Sequence, residues 1–188
     1  MASLVLKMSV SLDGYVAPID GSTDWVAAGR SDDGASWTAE TLSNAGAHLM
    51  GATTYAGWAA YWPGASGPFA KAMNEIPKVV FSKTVDEAAW TGSSIARGDL
   101  ADEIAALRRQ PGGEIIAWGG ASFAQSLSRA GLVDEYVLVI QPVAFGSGLP
   151  LFADLPDALR LELIEAKTFG STVLHIYEPS DRATRPRA

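Results

Sequence analysis

Apolar residues alternate with other residues along the start of the chain, at the period of two that a β-strand requires. The apolar set of this segment is Leu4, Leu6, Met8 and Val10. Residues 136–140 are apolar at every position, as expected of a strand that a sheet buries on both faces. Strands alternate with helical patterns as far as Ala130, and strands alone follow. The order predicts an α/β fold with a mostly parallel sheet and antiparallel strands added at one side.

Turn and cap signals predict where several elements begin and end. Asp32 and Asp33 are typical of a first helical turn, and Gly46 is expected to end that helix. We also expect a helix from Asp99 to about residue 110, strands over residues 48–50, 77–84 and 93–97, and an antiparallel hairpin within residues 159–177. Residues 1–178 are predicted to form a single domain, and the polar, aperiodic residues 179–188 a disordered tail.

The segment over residues 114–127 has the pattern of a strand, a tight turn and a helix. Ile115 and Ile116 are typical of a buried strand, and Phe123, Leu127 and Ala130 have the helical spacing of side chains that face a sheet. Gly119 and Gly120 mark the turn between them. Glycines let a ligand approach the main chain closely, and the first N–H groups of the helix can then face an anion. The sequence predicts a phosphate-binding corner here, with plain turn chemistry as the alternative.

Two other predicted strands end in similar chemistry. Gly51 stands at a second bend between a strand and a helix, with the hydroxyls of Thr53 and Thr54 at the helix start. Those threonines could bind a ligand, cap their own helix, or do both. A third strand ends in Ser82, Lys83 and Thr84. Since ligands of open α/β sheets bind beyond the carboxyl ends of the strands, a dinucleotide could lie across all three.

Composition excludes several classes of function. A net charge of -7 and a pI near 4.7 argue against a nucleic-acid partner. No apolar run approaches the ~20 residues that span a bilayer, and the first residues lack the features of a signal peptide, so we expect a cytoplasmic protein without membrane contact. The chain has no cysteine, and its two histidines, His48 and His175, lie within apolar strand patterns. We therefore expect no metal site and interpret both histidines as part of the core or of a sheet face.

Six segments of the chain, in this order, together resemble a known family. They are residues 11–17 (SLDGYVA), 50–55 (MGATTY), 80–84 (VFSKT), 118–123 (WGGASF), 131–135 (GLVDE) and 145–152 (FGSGLPLF). The chain resembles the dihydrofolate reductase-like superfamily over roughly residues 4–178, in particular the reductase domain of the riboflavin-biosynthesis deaminase-reductases and its free-standing bacterial relatives. The resemblance implies a twisted mixed sheet flanked by helices, hydride transfer from NADPH to a small heterocycle, and a homodimer.

The resemblance also implies positions for the cofactor. Gly51, Thr53 and Thr54 would contact its phosphates, and Val16 and Ala17 would lie against the nicotinamide. The remaining implied contacts are Ser82, Lys83 and Thr84 on the adenosine side, Lys83 or Arg97 at a 2′-phosphate, and Gly119, Gly120, Ala121, Ser122 and Phe123 at the pyrophosphate.

The chain departs from the family pattern at three places. Ala52 stands where dihydrofolate reductases have a basic residue, which leaves the preference for NADPH over NADH to Lys83 or Arg97. A carboxylate that supports pterin protonation has no clear counterpart, and the candidates on the first long helix are Asp32, Asp33 and Glu40. Trp118 replaces an acidic residue that the riboflavin-pathway reductases usually carry before the paired glycines. The deaminase activity of the bifunctional enzymes is not expected, because its zinc site needs cysteine.

Two residues near the first strand have competing interpretations. Asp13 could bind substrate or position a proton donor as the catalytic residue, or it could serve the Asp-Gly turn alone. Trp25 could cover a substrate pocket or only anchor its loop, and Asp33 is a further candidate for substrate contact. The leading hypothesis is an NADPH-dependent reductase acting on a small heterocycle. The alternatives are a nucleotide-binding module without turnover and a flavin-using reductase. No residue provides evidence for the flavin-using reductase.

Overall fold

The computed structural model describes residues 1–29 and 31–180, and eight of its strands form one sheet with helices on both faces. The strands are β1 (Leu4–Ser11), β2 (Tyr15–Ala17), β3 (Ala45–Gly51), β4 (Lys78–Phe81), β5 (Ser93–Ala96), β6 (Glu114–Trp118), β7 (Glu135–Gln141), β8 (Leu149–Pro150), β9 (Leu161–Phe169) and β10 (Thr172–Pro179). The α-helices are α1 (Trp25–Ala28), α2 (Asp32–Leu42), α3 (Ala52–Tyr61), α4 (Pro68–Glu75), α5 (Leu100–Arg108) and α6 (Ala121–Arg129).

The strand order of the large sheet is β5-β4-β3-β6-β1-β7-β10-β9. The six strands from β5 to β7 are parallel, and β10 and β9 add antiparallel strands at one side. The predicted α/β fold, mostly parallel with an antiparallel hairpin at one side, is confirmed. The carboxyl ends of the six parallel strands all lie at one edge of the sheet, and this edge carries the candidate site.

Alternate residues of β1 face two separate cores. Leu6 and Met8 belong to the core that includes side chains of α5 and α6. Val5 belongs to the other core, which includes side chains of α2, α3 and α4. Lys7 follows Val5 by two positions, so this lysine points toward the second core. The two cores make a layered helix–sheet–helix arrangement around a buried central strand.

Several boundaries differ from those that the sequence predicts. The strand predicted over residues 77–84 is β4, which ends at Phe81 and leaves Ser82, Lys83 and Thr84 in the loop beyond it. The first long helix ends at Leu42, and Gly46 lies instead inside β3. A Cβ atom at Gly46 would come within 2.8 Å of the Gly113 nitrogen, so close approach of two main-chain segments, rather than a helix end, explains this glycine. Ala130 is exposed at the C-cap of α6 and does not face the sheet. β10 extends to Pro179, and most of the predicted tail, residues 181–188, lies outside the described residues.

A small second sheet joins two loops. β2, within the loop after β1, pairs antiparallel with β8, within the glycine-rich loop after β7. Their lengths of three and two residues are too short to produce a periodic pattern. The pairing holds both loops together beside the carboxyl ends of β1 and β7.

An ion pair joins elements at the opposite edge of the sheet. Nη2 of Arg108 lies 2.8 Å from Oδ2 of Asp134, and the same carboxylate oxygen accepts a hydrogen bond from the Leu4 nitrogen at 2.7 Å. Arg108 also donates to the Leu132 carbonyl at 2.6 Å. These contacts tie the end of α5 to the starts of β1 and β7.

No helix within residues 1–29 and 31–180 is both long enough and apolar enough to cross a membrane.

Candidate active site

The residues predicted to contact a cofactor fall on neighbouring strands in the order that the resemblance implies. Arg97 follows β5, residues 82–84 follow β4, residues 51–54 lie at the end of β3, and residues 119–123 follow β6. Val16 and Ala17 follow β1 as part of β2 and are buried. With about 4.8 Å between strands, the ends of β5 and β1 are about 19 Å apart, which suits an extended dinucleotide.

The corner between β3 and α3 leaves its polar groups available. Gly51 is the N-cap of α3, and no side chain from the described residues caps this helix. Capping by Thr53 or Thr54, the alternative interpretation of these residues, is therefore wrong. Thr53 is exposed and Thr54 half-buried. The first N–H groups of α3 and the two hydroxyls can thus face a ligand.

The corner between β6 and α6 needs glycine for two different reasons. Gly120 has a φ of 56°, in the left-handed region that side chains disfavour, and it is the N-cap of α6 without a capping side chain from the described part of the chain. Gly119 lies directly over Met8, whose Sδ would be 3.1 Å from a Cβ atom at this position. The close packing beneath the corner fixes the main chain, whose N–H groups would bind a phosphate.

The two corners contact each other. A Cβ atom at Gly51 would lie 3.4 Å from Cβ of Phe123, and a Cβ atom at Gly120 would lie 3.5 Å from the hydroxyl oxygen of Thr54. The Phe123 ring also packs against Phe81 with 5.0 Å between ring centroids. The uncapped N-termini of α3 and α6 therefore lie beside each other, at the ends of the adjacent strands β3 and β6.

Groups beyond β4 and β5 are partly engaged within the protein. Oγ of Ser82 accepts hydrogen bonds from the nitrogens of Thr84 and Val85 at 3.1 and 3.0 Å. Arg97 donates to the Val85 carbonyl at 2.6 Å and lies 3.9 Å from the Asp86 carboxylate. Lys83 is exposed. The Lys83 ammonium group, and the guanidinium nitrogens of Arg97 that these contacts leave free, could bind a 2′-phosphate.

The carboxylate of Asp13 binds main-chain groups from a distant loop. It accepts hydrogen bonds from the Phe145 nitrogen at 3.0 Å and the Gly146 nitrogen at 2.7 Å, and from Oγ of Ser11 at 2.6 Å. These bonds, led by the one from Ser11, hold the pKa of Asp13 below its usual value. Asp13 thereby joins the turn after β1 to the loop after β7, and its contact with substrate stays a prediction.

Neither of the two residues proposed for substrate contact is buried: Trp25 is half-buried and Asp33 is exposed. Trp25, in α1, meets Phe145 edge-on with 5.1 Å between ring centroids, and its indole N–H donates to the Ser22 carbonyl at 3.1 Å. These contacts suit the interpretation of Trp25 as an anchor for its loop. Asp33 is exposed in the first turn of α2, as are Asp32 at that turn and Glu40 further along the helix.

Sequence reasoning missed a lysine surrounded by aromatic rings. Lys7 is only 8% exposed, and its Nζ lies 5.6 Å from the ring centroid of Trp37 and 5.8 Å from that of Trp118. Trp58 packs edge-on against Trp118 at 5.4 Å, and Phe69 lies 6.3 Å from it. Burial lowers the pKa of Lys7 to about 8. The available signal was a charged residue in the interior of a strand whose residues are mostly apolar.

Trp118 is held in place by His48. The indole N–H of Trp118 donates a hydrogen bond of 2.9 Å to Nδ1 of His48, so Nδ1 carries no proton. Burial lowers the pKa of His48 to about 4. The imidazole is therefore neutral near pH 7, and it serves the core as predicted for this histidine.

Comparison with known proteins gives the family. The model of the RibD C-terminal domain matches residues 2–175, nearly the whole described chain. This chain belongs to the RibD C-terminal domain family. Two Bacillus subtilis (strain 168) proteins are also similar: the uncharacterised protein YyaP is 31% identical over 178 residues, with 92% of each chain covered, and YwjB is 29% identical over 171 residues, covering 90% of this chain and 93% of its own.

Solved structures confirm the RibD-like fold. A putative riboflavin biosynthesis protein from Shewanella sp. PV-4 has a TM-score of 0.78 at 23% identity, covering 95% of this chain and 99% of its own. A deaminase/5-amino-6-(5-phosphoribosylamino)uracil reductase from Thermotoga maritima has a TM-score of 0.68 at 17% identity, covering 95% of this chain and 56% of its own. Acinetobacter baumannii RibD has a TM-score of 0.70 at 19% identity, covering 96% of this chain and 58% of its own.

Proposed function

We propose that this chain is an NADPH-dependent reductase that transfers hydride to a small heterocyclic substrate. The observation that carries the proposal is the pair of uncapped glycine corners on the adjacent strands β3 and β6. Membership of the RibD C-terminal domain family supports an oxidoreductase of this kind. A cytoplasmic location, a small-molecule substrate and a homodimer belong to the same proposal.

The residues at the sheet edge suit the parts of NADPH. Main-chain N–H groups at the starts of α3 and α6, with the hydroxyls of Thr53 and Thr54, are donors for phosphate oxygens. Lys83 and Arg97 supply the only basic side chains among the predicted contacts, and both lie beyond the strands at the end expected for the adenosine. The preference for NADPH over NADH rests on these two cations.

The bound nicotinamide supplies hydride, and the protein must hold a flat substrate beside it and exclude water. Val16 and Ala17, in β2 just after β1, are the apolar residues that would lie against the nicotinamide. A proton must also reach the reduced substrate, since hydride addition leaves a negative charge. His48 is neutral and buried, and the α2 carboxylates are exposed, so neither places an acid beside the proposed substrate position.

Thermal unfolding tests the cofactor assignment. A ligand that binds only the folded state raises its melting temperature, so we expect a rise with millimolar NADPH and a smaller rise with NADH. Loss of reduced-nicotinamide absorbance with pterins, pyrimidines or dicarbonyls would then show turnover. If neither nucleotide raises the melting temperature, the cofactor assignment is wrong.

A nucleotide-binding module without turnover is the second candidate. The observation that favours it is the exposure of Asp32, Asp33 and Glu40, which leaves no acid from α2 beside the proposed substrate position. Binding of NADPH without oxidation by any heterocycle in the same assay would support this candidate over the reductase.

A further inference from the structure

The loop after β7, residues 142–154, lies directly against the loop after β1. The Leu151 nitrogen donates a hydrogen bond of 2.9 Å to the Gly14 carbonyl. Gly148 packs so closely that a Cβ atom at this position would collide with the carbonyl oxygen of Ala17. The loop after β7 therefore sets the position of the main chain at Ala17, a residue that would lie against the nicotinamide.

The strand that joins these two loops is weak by itself. β8 has only two residues, and one of them, Pro150, has no N–H group to donate to its partner strand. The register with β2 is also irregular, between Tyr15 and Ala17. Since so short a pair makes few main-chain hydrogen bonds, a contact from outside the pair has a large share in fixing its position.

Gln125 of α6 supplies such a contact. Its Nε2 donates a hydrogen bond of 2.7 Å to the Pro150 carbonyl, and the side chain is half-buried. Gln125 follows the corner glycine Gly120 by five positions, about 7.5 Å along the helix axis. Among the described residues, the other polar contact between α6 and this loop is the ion pair of Arg129 with Asp154, at 3.8 Å and exposed to solvent. Gln125 is therefore the stronger of the two polar links between α6 and the loop.

We propose that Gln125 is a positioning residue, which sets the distance between the corner that binds the pyrophosphate and the strand β2 that holds the nicotinamide. This inference rests on the proposed function, and Gln125 acts in it through the Pro150 carbonyl. Hydride transfer requires the reacting atoms to approach to about 3–3.5 Å, so the nicotinamide ring must be held accurately. The corner fixes the phosphates of a flexible dinucleotide, and the ring at its other end needs support at a constant distance from that corner.

Two ligands that differ only in the nicotinamide separate positioning from phosphate binding. They are NADPH and 2′-phospho-ADP-ribose, the same nucleotide without its nicotinamide ring, each titrated by calorimetry. The ratio of their dissociation constants measures what the nicotinamide adds to binding. Gln125→Met keeps a side chain of similar length and removes its donor. In this variant 2′-phospho-ADP-ribose should bind as in the wild type, and NADPH roughly tenfold more weakly, the ratio that about 1.4 kcal/mol produces.

Arg129→Ala is the matched control. It removes the other polar contact between α6 and the loop, but that ion pair is exposed, so both ligands should bind as in the wild type. A weakening of NADPH binding by the same factor in both variants would show a general loosening of α6, and it would overturn the role of Gln125.

Amide hydrogen exchange tests the positioning without any nucleotide. The Leu151 amide reports on the loop through its bond to Gly14, and the Ala124 amide, which donates to the Gly120 carbonyl at 3.0 Å, reports on the corner. Gln125→Met should speed exchange at Leu151 roughly fivefold, as expected for the loss of one hydrogen bond, and leave exchange at Ala124 unchanged.

Three results in Gln125→Met would overturn the inference: an unchanged ratio of the two dissociation constants, an equal loss of affinity for both ligands, or unchanged exchange at Leu151. A wild type that binds neither ligand would instead reject the proposed function. The exchange at Leu151 would then still decide whether Gln125 fixes the loop.

Discussion

The hydroxyl oxygen of Thr54 lies 3.5 Å from the position that a Cβ atom at Gly120 would take. The N-termini of α3 and α6 therefore lie close together, and they can do so because Gly120 has no side chain. The gap between them is where phosphate oxygens could reach the N–H groups of both helices.

Gly120→Val should abolish the rise in melting temperature with NADPH, because branched methyl groups would fill this gap. The φ of 56° adds strain of about 1–2 kcal/mol for any side chain. Gly131→Val is the matched control, since Gly131 has a φ of 62°, open space around it, and a position after α6 that is remote from the corner. It should lose stability to a similar extent and keep its response to NADPH. A folded Gly120→Val protein that still responds would show that the corner is only structural.

The free energy of unfolding should rise with pH between about 8 and the ordinary lysine value of 10.5. In this window the unfolded chain holds a proton at Lys7 that the folded protein has released, so raising the pH favours the folded state. The contribution is at most about 3 kcal/mol. Urea titrations of wild type and Lys7→Met at several pH values isolate it, because Lys78 and Tyr136 titrate equally in both. Parallel pH profiles would contradict the lowered pKa of Lys7.

Asp13→Asn should loosen the loop after β7. Asparagine has one acceptor oxygen in place of two, so it cannot keep the bonds from Ser11, Phe145 and Gly146 together. Faster amide exchange at Phe145 and Gly146 would report the change. The lowered pKa of Asp13 means that its contribution to stability is present above the usual carboxyl pKa and disappears as the pH falls through the lowered value.

A substrate role for Asp13 gives a different result in the same variant. Turnover would be lost while NADPH binding stayed normal, whether or not amide exchange became faster. If kcat/KM is unchanged and exchange is faster, Asp13 positions the loop and does not touch substrate.

Arg108→Ala should destabilise the protein by about 3 kcal/mol, because Asp134 would lose its cation in a site where both side chains are largely buried. Arg129→Ala removes a surface ion pair with 3.8 Å between its charged atoms, and it should cost less than about 1 kcal/mol. Chemical denaturation measures both changes. Since Arg108 lies at the edge opposite the candidate site, the response of the folded variant to NADPH should be normal. Equal costs for the two variants would contradict the structural role assigned to Arg108.

A homodimer should form through the outer strand of the sheet, β9. Leu163 is 51% exposed and Ile164 47% exposed, and among the described strands β9 has a neighbour on one side only. Apolar side chains on an open strand edge favour pairing with another strand. Light scattering at micromolar concentration should give twice the chain mass for the wild type and the chain mass for Ile164→Lys. A monomeric wild type would refute the dimer.

The sequence predicted those parts of the fold that local patterns specify. The β6–α6 corner was predictable because buried isoleucines, paired glycines and helically spaced Phe123 and Leu127 adjoin one another. β2 and β8 were not, because strands of three and two residues exist only through their mutual pairing. Gly46 was misassigned for a related reason, since the main chain it must accommodate belongs to Gly113.

The site was predictable in its main-chain parts and not in its charged parts. Glycine corners leave a signal in sequence, whereas Lys7 occupies a position that in a strand with one solvated face would lie in water. Only the placement of β1 between β6 and β7, with α2 over it, buries that lysine. The role of Asp13 likewise depends on a loop from the other half of the chain.

The sheet also sets the order in which the chain can fold. β1 is the first strand to be made, but both of its neighbours, β6 and β7, come from the second half of the chain. During synthesis β1 must wait unpaired while β3, β4 and β5 emerge and pair with one another. Contacts between such distant segments slow folding and leave apolar surface open to aggregation in the meantime. The central position of β1 therefore means that the sheet cannot close around it until the second half of the chain has been made.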